Sequence, residues 1–278
     1  MLASVREGRR VSERPPRFFA QLAFTLAVCA FLVVPVAMSV LAGLSRNYFV
    51  GVGSGLTLRW VEQVLSLYSA SIGLSLGIAL ACLAATLVLG VPIAYALARY
   101  PGRVTRVFEE LLVLPVAVPG LATALALILL YGEWRGFRAS WLFILVGHVV
   151  FTLPFMVRSV LAVMGAMDLV TLEEAAASLG AGFGKRFFGI IVPNARYGIL
   201  AGALMVVTLS VGEFNITWML HTPLTKTIPV GLADAYASMR LEIGSAYTIV
   251  FFVMIVPLLV AMQWLARDRG ASSGRDGR

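Results

Sequence analysis

The sequence predicts an all-α membrane protein: a six-helix transmembrane bundle with a helical cytoplasmic loop between its fourth and fifth helices. Composition is the first reason. Of 278 residues, 60% are hydrophobic and 13% charged, with a mean hydropathy of +0.91, whereas soluble globular chains are about 45–50% apolar and about 25% charged. Such a surface is stable only against lipid or other apolar helices. The second reason is the length of the uncharged runs. No Asp, Glu, Lys or Arg occurs from Phe18 to Ser45, Gln63 to Ala98, Leu111 to Gly132, Ala139 to Val157, or Ile243 to Ala266. A sixth run, Tyr197 to Thr225, is interrupted only by Glu213. Crossing the hydrocarbon core takes roughly 20 residues of helix, and every run reaches or nearly reaches that length.

The third reason is where the basic residues fall. Net charge is +8 and the isoelectric point near 10.0, which could point to nucleic acid. With the N-terminus inside, however, 16 Lys and Arg lie in cytoplasmic segments and 6 outside. Basic loops resist translocation, so the asymmetry puts both termini in the cytoplasm and makes the charge a topology signal. Nucleic acid is not an expected partner; lipid is. Cys29 and Cys82 fall within apolar runs and read as small hydrophobes, with no disulfide or metal site implied. The N-terminal apolar run is too long for a signal-peptide core and reads as an uncleaved first helix.

Taken in order, residues 1–17 form a basic cytoplasmic tail, residues 18–266 the six-helix domain and residues 267–278 a second cytoplasmic tail. The first span covers Phe18–Leu44. The outer stretch Ser45–Leu67 contains Gly51, Gly53 and Gly55 and an amphipathic segment around Leu58–Leu65, expected to lie along the interface. The second span covers Ser69–Ala98. The third contains Pro115, Pro119 and Gly120 and is expected to be kinked or broken, with neighbouring helices satisfying the freed backbone groups. The fourth covers Ser140–Met164, the fifth Gly198–Leu220 and the sixth Ser245–Ala266.

The loop 165–196 is long for a connection within a bundle, so it is either functional or disordered. Its composition predicts order. Thr171-Leu172-Glu173-Glu174 reads as a capping box, with Thr171 as N-cap and Glu174 at the third helical position. The helix continues to Leu179 and stops at Gly180. A second segment, Phe183–Val192, alternates basic and apolar residues until Pro193 ends it.

This loop resembles a known motif. Glu174-Ala175-Ala176, three residues, Gly180, nine residues, then Ile190-Ile191-Val192-Pro193 is similar to the EAA loop, E-A-A, three residues, G, nine residues, I-x-L-P, with Val192 for Leu. The EAA loop marks the permease subunits of type I binding-protein-dependent ABC importers. The resemblance covers roughly Ser69–Ala266, the six-helix core of that family minus its first helix. It implies that Glu174, Ala175, Ala176, Gly180, Ile190 and Pro193 belong to a coupling helix seated in a cleft of an ATPase subunit. It also implies the partners: two ABC ATPases, a second permease (a copy or a relative), and an extracytoplasmic solute-binding protein at the cell inner membrane. No Walker A pattern occurs in the chain, so ATP is expected on the partner subunit and no cofactor in this one.

Outside that loop, Glu213 is the one acidic residue within a predicted span. Intramembrane carboxylates usually face a bundle interior or a wet cavity. Two readings stand: Glu213 lines the pathway or subunit interface, with Asn215, Thr217 and Trp218 sharing its polar face, or it lies near the outer interface and is solvated. For Glu174 the alternative is a helix cap and nothing more. His148 in the fourth span is expected to hydrogen-bond a neighbouring helix rather than bind metal, and no catalytic residue is identified. The function predicted is ATP-driven import of a small polar solute by alternating access, without bond chemistry in this subunit. The rivals are an ion-gradient-driven transporter, which would need more intramembrane carboxylates or paired broken helices, and a membrane-embedded enzyme. Gly212-Glu213-Phe214-Asn215 and Thr222-Pro223 resemble permeases for phosphonates, polyamines, ferric iron or oxyanions. The stretch Trp218–Ser238 leans toward a phosphonate such as 2-aminoethylphosphonate.

Overall fold

The computed structural model describes residues 16–271. Over that range the chain is helical apart from turns and one isolated antiparallel bridge between Ser45 and Leu56. The basic tails expected at 1–17 and 267–278 lie mostly outside the described residues; Arg17 already belongs to the first helix, and the last helix runs on to Ala271.

Four helices are long and apolar enough to cross a membrane alone. They are α1 (Pro16–Leu44), α3 (Ser69–Arg99), α7 (Trp141–Met164) and α14 (Leu241–Ala271, whose crossing segment is Leu241–Trp264). Pro35, Pro92, Pro154 and Pro257 all sit inside these helices, which membrane helices tolerate because neighbouring groups re-satisfy the freed carbonyls. A 3-10 turn, Gly51–Ser54, and the amphipathic helix α2 (Arg59–Leu67) connect α1 to α3, close to the interfacial segment expected there.

The third predicted span is broken, one of the two outcomes expected of it. α4 (Arg103–Ala117) and α5 (Gly120–Tyr131) meet at 101° around Val118-Pro119. Pro119 has no N–H to continue the ladder, and its extended backbone redirects the chain. α6 (Arg135–Arg138) leads into α7.

The fifth predicted span, Gly198–Leu220, is corrected. α11 (Arg196–Gly212) ends before Glu213 and a separate short helix, α12 (Asn215–Leu220), follows. Apolarity alone gave no sign of this break. A further helix, α13 (Ile228–Ala237), fills a stretch expected to be loop, and α14 starts four residues earlier than Ser245. Two bent pairs, Arg103–Ala117 with Gly120–Tyr131 and Phe183–Asn194 with Arg196–Gly212, raise the crossings from four to six if each is counted as one span.

α7 lies at the centre, packed between α3 and α11. One apolar cluster joins Cys82, Val91 and Ala94 of α3, Met156, Val157 and Val160 of α7, and Ala203 and Val206 of α11. Lipid is as apolar as these side chains, so close packing rather than water exclusion holds such helices together. The sequence provides for it at Gly198-x-x-x-Gly202. A Cβ on Gly198 would lie 2.7 Å from the Ser159 carbonyl oxygen, and one on Gly202 2.8 Å from Met156 Sδ. α1 packs chiefly on α14, with its span otherwise uncovered.

Candidate functional site

Between α7 and α11 the chain folds into α8 (Leu169–Ser178), a helical turn α9 (Phe183–Arg186), a π-helical turn at Phe187–Ile191 and α10 (Val192–Asn194). The expected capping box is corrected. α8 begins two residues before Thr171, and the cap is Asp168, whose carboxylate accepts from the Thr171 amide at 3.3 Å. Asp serves this role as well as Thr, and the Met167-Asp168 turn sets the earlier start. Glu174 is exposed and caps nothing; its carbonyl accepts from the Ser178 hydroxyl.

α8 is amphipathic in its own way. Leu169, Glu173 and Ala176 recur at helical spacing and are buried, while Val170, Leu172, Glu174, Ala175 and Leu179 face outward. Leu179 is 89% exposed. Leu169, Phe187 and Ile191 belong to the same apolar cluster as α3, α7 and α11, so the loop is built into the bundle. Ala176 therefore faces this chain's own helices, and Ala175 the outside.

Glu173 is the residue that motif reading passed over. It is 4% exposed, yet its carboxylate accepts from the Tyr95 hydroxyl at 2.6 Å and the Arg99 Nε–H at 2.7 Å. Tyr95 and Arg99 are one turn apart at the end of α3 and present two donors along one face. The Tyr95 ring also meets Phe187 edge-on at 5.3 Å and Phe183 at 6.2 Å. A signal existed: Glu173 shares the Leu169–Ala176 stripe, and an acidic residue on a buried stripe demands a partner.

α8 ends in a Schellman turn. The Ala181 amide donates to the Ala176 carbonyl at 3.0 Å and the Gly180 amide to Ala177 at 2.9 Å, with Gly180 at φ +79°. The stop at Gly180 thus has the backbone reason expected of it. Pro193, by contrast, does not end the second segment. It sits inside α10, downstream of the π turn, and the bend of 71° comes at Ala195. A π turn widens the ladder where the proline N–H is missing. Asn194 Nδ2 donates to the Ile190 carbonyl at 2.8 Å, so Ile190 contributes its backbone to this bend.

The second place of interest is the α11–α12 break. Glu213 is 8% exposed, and its two carboxylate oxygens accept from the Ile216 and Thr217 amides, each at 2.9 Å. A carboxylate in this position satisfies the open N-terminal amides of α12 and complements the helix dipole. The Thr217 hydroxyl also donates to Glu213 at 3.0 Å, so its oxygen accepts a hydrogen bond from His148 Nε2–H at 2.8 Å. His148 Nδ1 then accepts from the Ser210 hydroxyl at 2.8 Å. His148 thereby bonds neighbouring helices, as expected. At its far end α12 is held by Arg138, which donates to the Leu220 carbonyl at 2.6 Å; a cation belongs at a helix C-terminus. Glu213 is buried within this chain rather than at a solvated surface. Asn215 is exposed beside it, and Phe214 borders an apolar hollow of about 320 Å³ with Gly212, Ile228, Pro229 and Leu232. Among the described residues, no group of three or more His, Cys, Asp or Glu is placed to hold a metal.

Comparison with known proteins bears on both places. Residues 87–270, which include the loop and the break, match the family described as binding-protein-dependent transport system inner membrane component. The sulfate transport system permease protein CysW of Synechocystis is 29% identical over 219 residues, covering 73% of this chain and 78% of that protein. The molybdenum transport system permease protein ModB of Escherichia coli is 29% identical over 204 residues, 67% of this chain and 88% of its own. The putrescine transport system permease protein PotI of Escherichia coli is 28% identical over 253 residues, 85% and 87% respectively.

Proposed function

The chain belongs to the binding-protein-dependent transport system inner membrane component family, the permeases of type I ABC importers, and from that premise we propose how it works. Six spans, with α4–α5 broken at Val118-Pro119, α11 bent from the preceding segment at Ala195, and both termini cytoplasmic, form half of a translocation pathway in the inner membrane. A second permease supplies the other half. Two ATPase subunits dock from the cytoplasm and hydrolyse the ATP, and a binding protein delivers the solute from outside. Closure of the ATPases shifts the loop 165–196, and the bundle opens outward.

One observation carries this reading. α8 is anchored on its buried face yet leaves Leu172, Glu174, Ala175 and Leu179 on a preformed ridge. An ordered ridge of small and apolar side chains outside the spans suits a partner's cleft, because little entropy remains to be lost on docking. Within the EAA pattern, Glu174, Ala175 and Gly180 are then the docking side. Ala176, Ile190 and Pro193 shape the side facing the membrane.

For the solute we propose the class only, a small polar or charged molecule. Sulfate, molybdenum and putrescine stand in the names of the three permeases compared above, none of which names a phosphonate. The test is reconstitution into liposomes with the ATPases and binding protein. Uptake of radiolabelled sulfate, molybdate or putrescine should require internal ATP and survive an ionophore. Uptake that persists without ATP and stops with the ionophore would contradict the proposal in favour of an ion-driven carrier.

A further inference from the structure

We infer that Glu173 is a positioning residue that clamps the coupling helix to α3, so that α8 and the inner end of α3 move as one body. This rests on the coupling reading of α8 and adds the route by which its displacement enters the membrane.

The geometry points to a clamp rather than a passing contact. Glu173 spends its whole carboxylate on one neighbour, accepting from Tyr95 on one oxygen and Arg99 on the other. Two donors from successive turns of α3 fix both the position and the rotation of α8 about that helix. Charge-assisted bonds at 2.6–2.7 Å are the strong kind. Glu173 is nearly buried, while Arg99 keeps part of its side chain exposed. The carboxylate is thus shielded from competing water, and the cation avoids full desolvation. The aromatic grip adds a second attachment, since Tyr95 is held by Phe183 and Phe187 from the segment after α8. The loop consequently grasps α3 from both sides of the Gly180 turn. By contrast, the outward face, with Glu174, Ala175 and Leu179, has no comparable tie to the chain's own helices among the described residues. Force applied there leaves through the clamp together with the buried Leu169 and Ala176.

From α3 the next contact is α7, which packs along it and against α11. Helix shifts at such interfaces are typically about 1–2 Å, so a slack joint at α8 would absorb the stroke. That is the physical reason for an ion pair at this place.

The test uses spin labels at Val170 on α8 and Leu80 on α3, both exposed, in a chain lacking Cys29 and Cys82 and assembled with its ATPases. The interlabel distance is measured without nucleotide and after trapping with ATP and vanadate. The inference expects the same mean and width in both states. In Glu173→Leu the distribution should broaden and its mean shift on trapping. Reciprocal exchange, Glu173→Arg with Arg99→Glu, should narrow it again. A wild-type distance that changes between the two states overturns the clamp, as does a Glu173→Leu distribution identical to wild type. If Glu173→Leu does not assemble, the wild-type pair of measurements still decides. Failure of the unsubstituted chain to retain the ATPase would instead sink the coupling reading.

Discussion

Gly120 and Asn215 face each other where two helix breaks meet: a Cβ on Gly120 would lie 3.2 Å from that of Asn215 and 3.3 Å from Ile216 Cγ1. Gly120 opens α5 directly after Pro119, and Asn215 opens α12 directly after Glu213. The two short helices then pack along each other and against Phe143 and Ile144 of α7. Irregular backbone at membrane depth is tolerated where protein buries it or water lines it. Where the two breaks meet, Glu213 is buried while Val118, Pro119 and Asn215 stay exposed.

Filling that contact should disturb both breaks. We expect Gly120→Leu to cost about 1–3 kcal/mol of overpacking, with uptake falling several-fold while the ATPase stays bound. Gly120→Ala needs only a shift of a few tenths of an ångström and should retain most activity. Uptake assays on the two variants check the ordering, and equal activity in Gly120→Leu and wild type would separate the breaks functionally.

Glu213 serves as the cap of α12, so its loss should show in stability before selectivity. Glu213→Leu strands the Ile216 and Thr217 amides and the Thr217 hydroxyl, at about 1–3 kcal/mol for each unsatisfied group. Glu213→Gln keeps one acceptor and should lie between. Thermal unfolding in detergent should rank wild type above Gln above Leu. A Leu variant as stable as wild type, with normal uptake, would remove Glu213 from the account.

Gly180 has open space around its missing side chain, so any cost of substitution there is backbone cost alone. At φ +79° an L-residue with a side chain pays about 1–2 kcal/mol, and Asn less than others. ATPase retention should fall in the order Gly, Asn, Ala, Val. Equal retention across the series would mean the Schellman turn does not shape the docking ridge.

The neighbouring alanines separate docking from folding. Ala175→Trp projects outward and should block the ATPase while the chain inserts and folds normally. Ala176→Trp meets this chain's own helices and should lower the yield of folded protein first. The two outcomes reversed would mean that α8 docks by the opposite face.

Much of this architecture was legible in the sequence because membrane spans leave a strong mark. Long uncharged runs gave α1, α3 and α7 to within two residues and α14 to within five, and the Pro119-Gly120 pair marked the break before α5. The α11–α12 break was not legible, since its cause is a carboxylate bonding amides three and four residues ahead, which apolarity does not register. Helical periodicity could have exposed Glu173, but its partners, 74 and 78 residues away, are set by tertiary packing. The capping box failed for a local reason: Asp168 competes with Thr171 for the same role and starts the helix earlier.

The claim that α8 is the cytoplasmic docking ridge for the ATPase is tested most directly by placing a photo-crosslinking residue at Leu179. Leu224, at the opposite end of the spans and equally exposed, is the comparison position. In membranes carrying the assembled transporter, the account predicts that the Leu179 probe captures the ATPase subunit and the Leu224 probe does not. Capture from Leu224, or none from Leu179 while the complex remains intact, would contradict it.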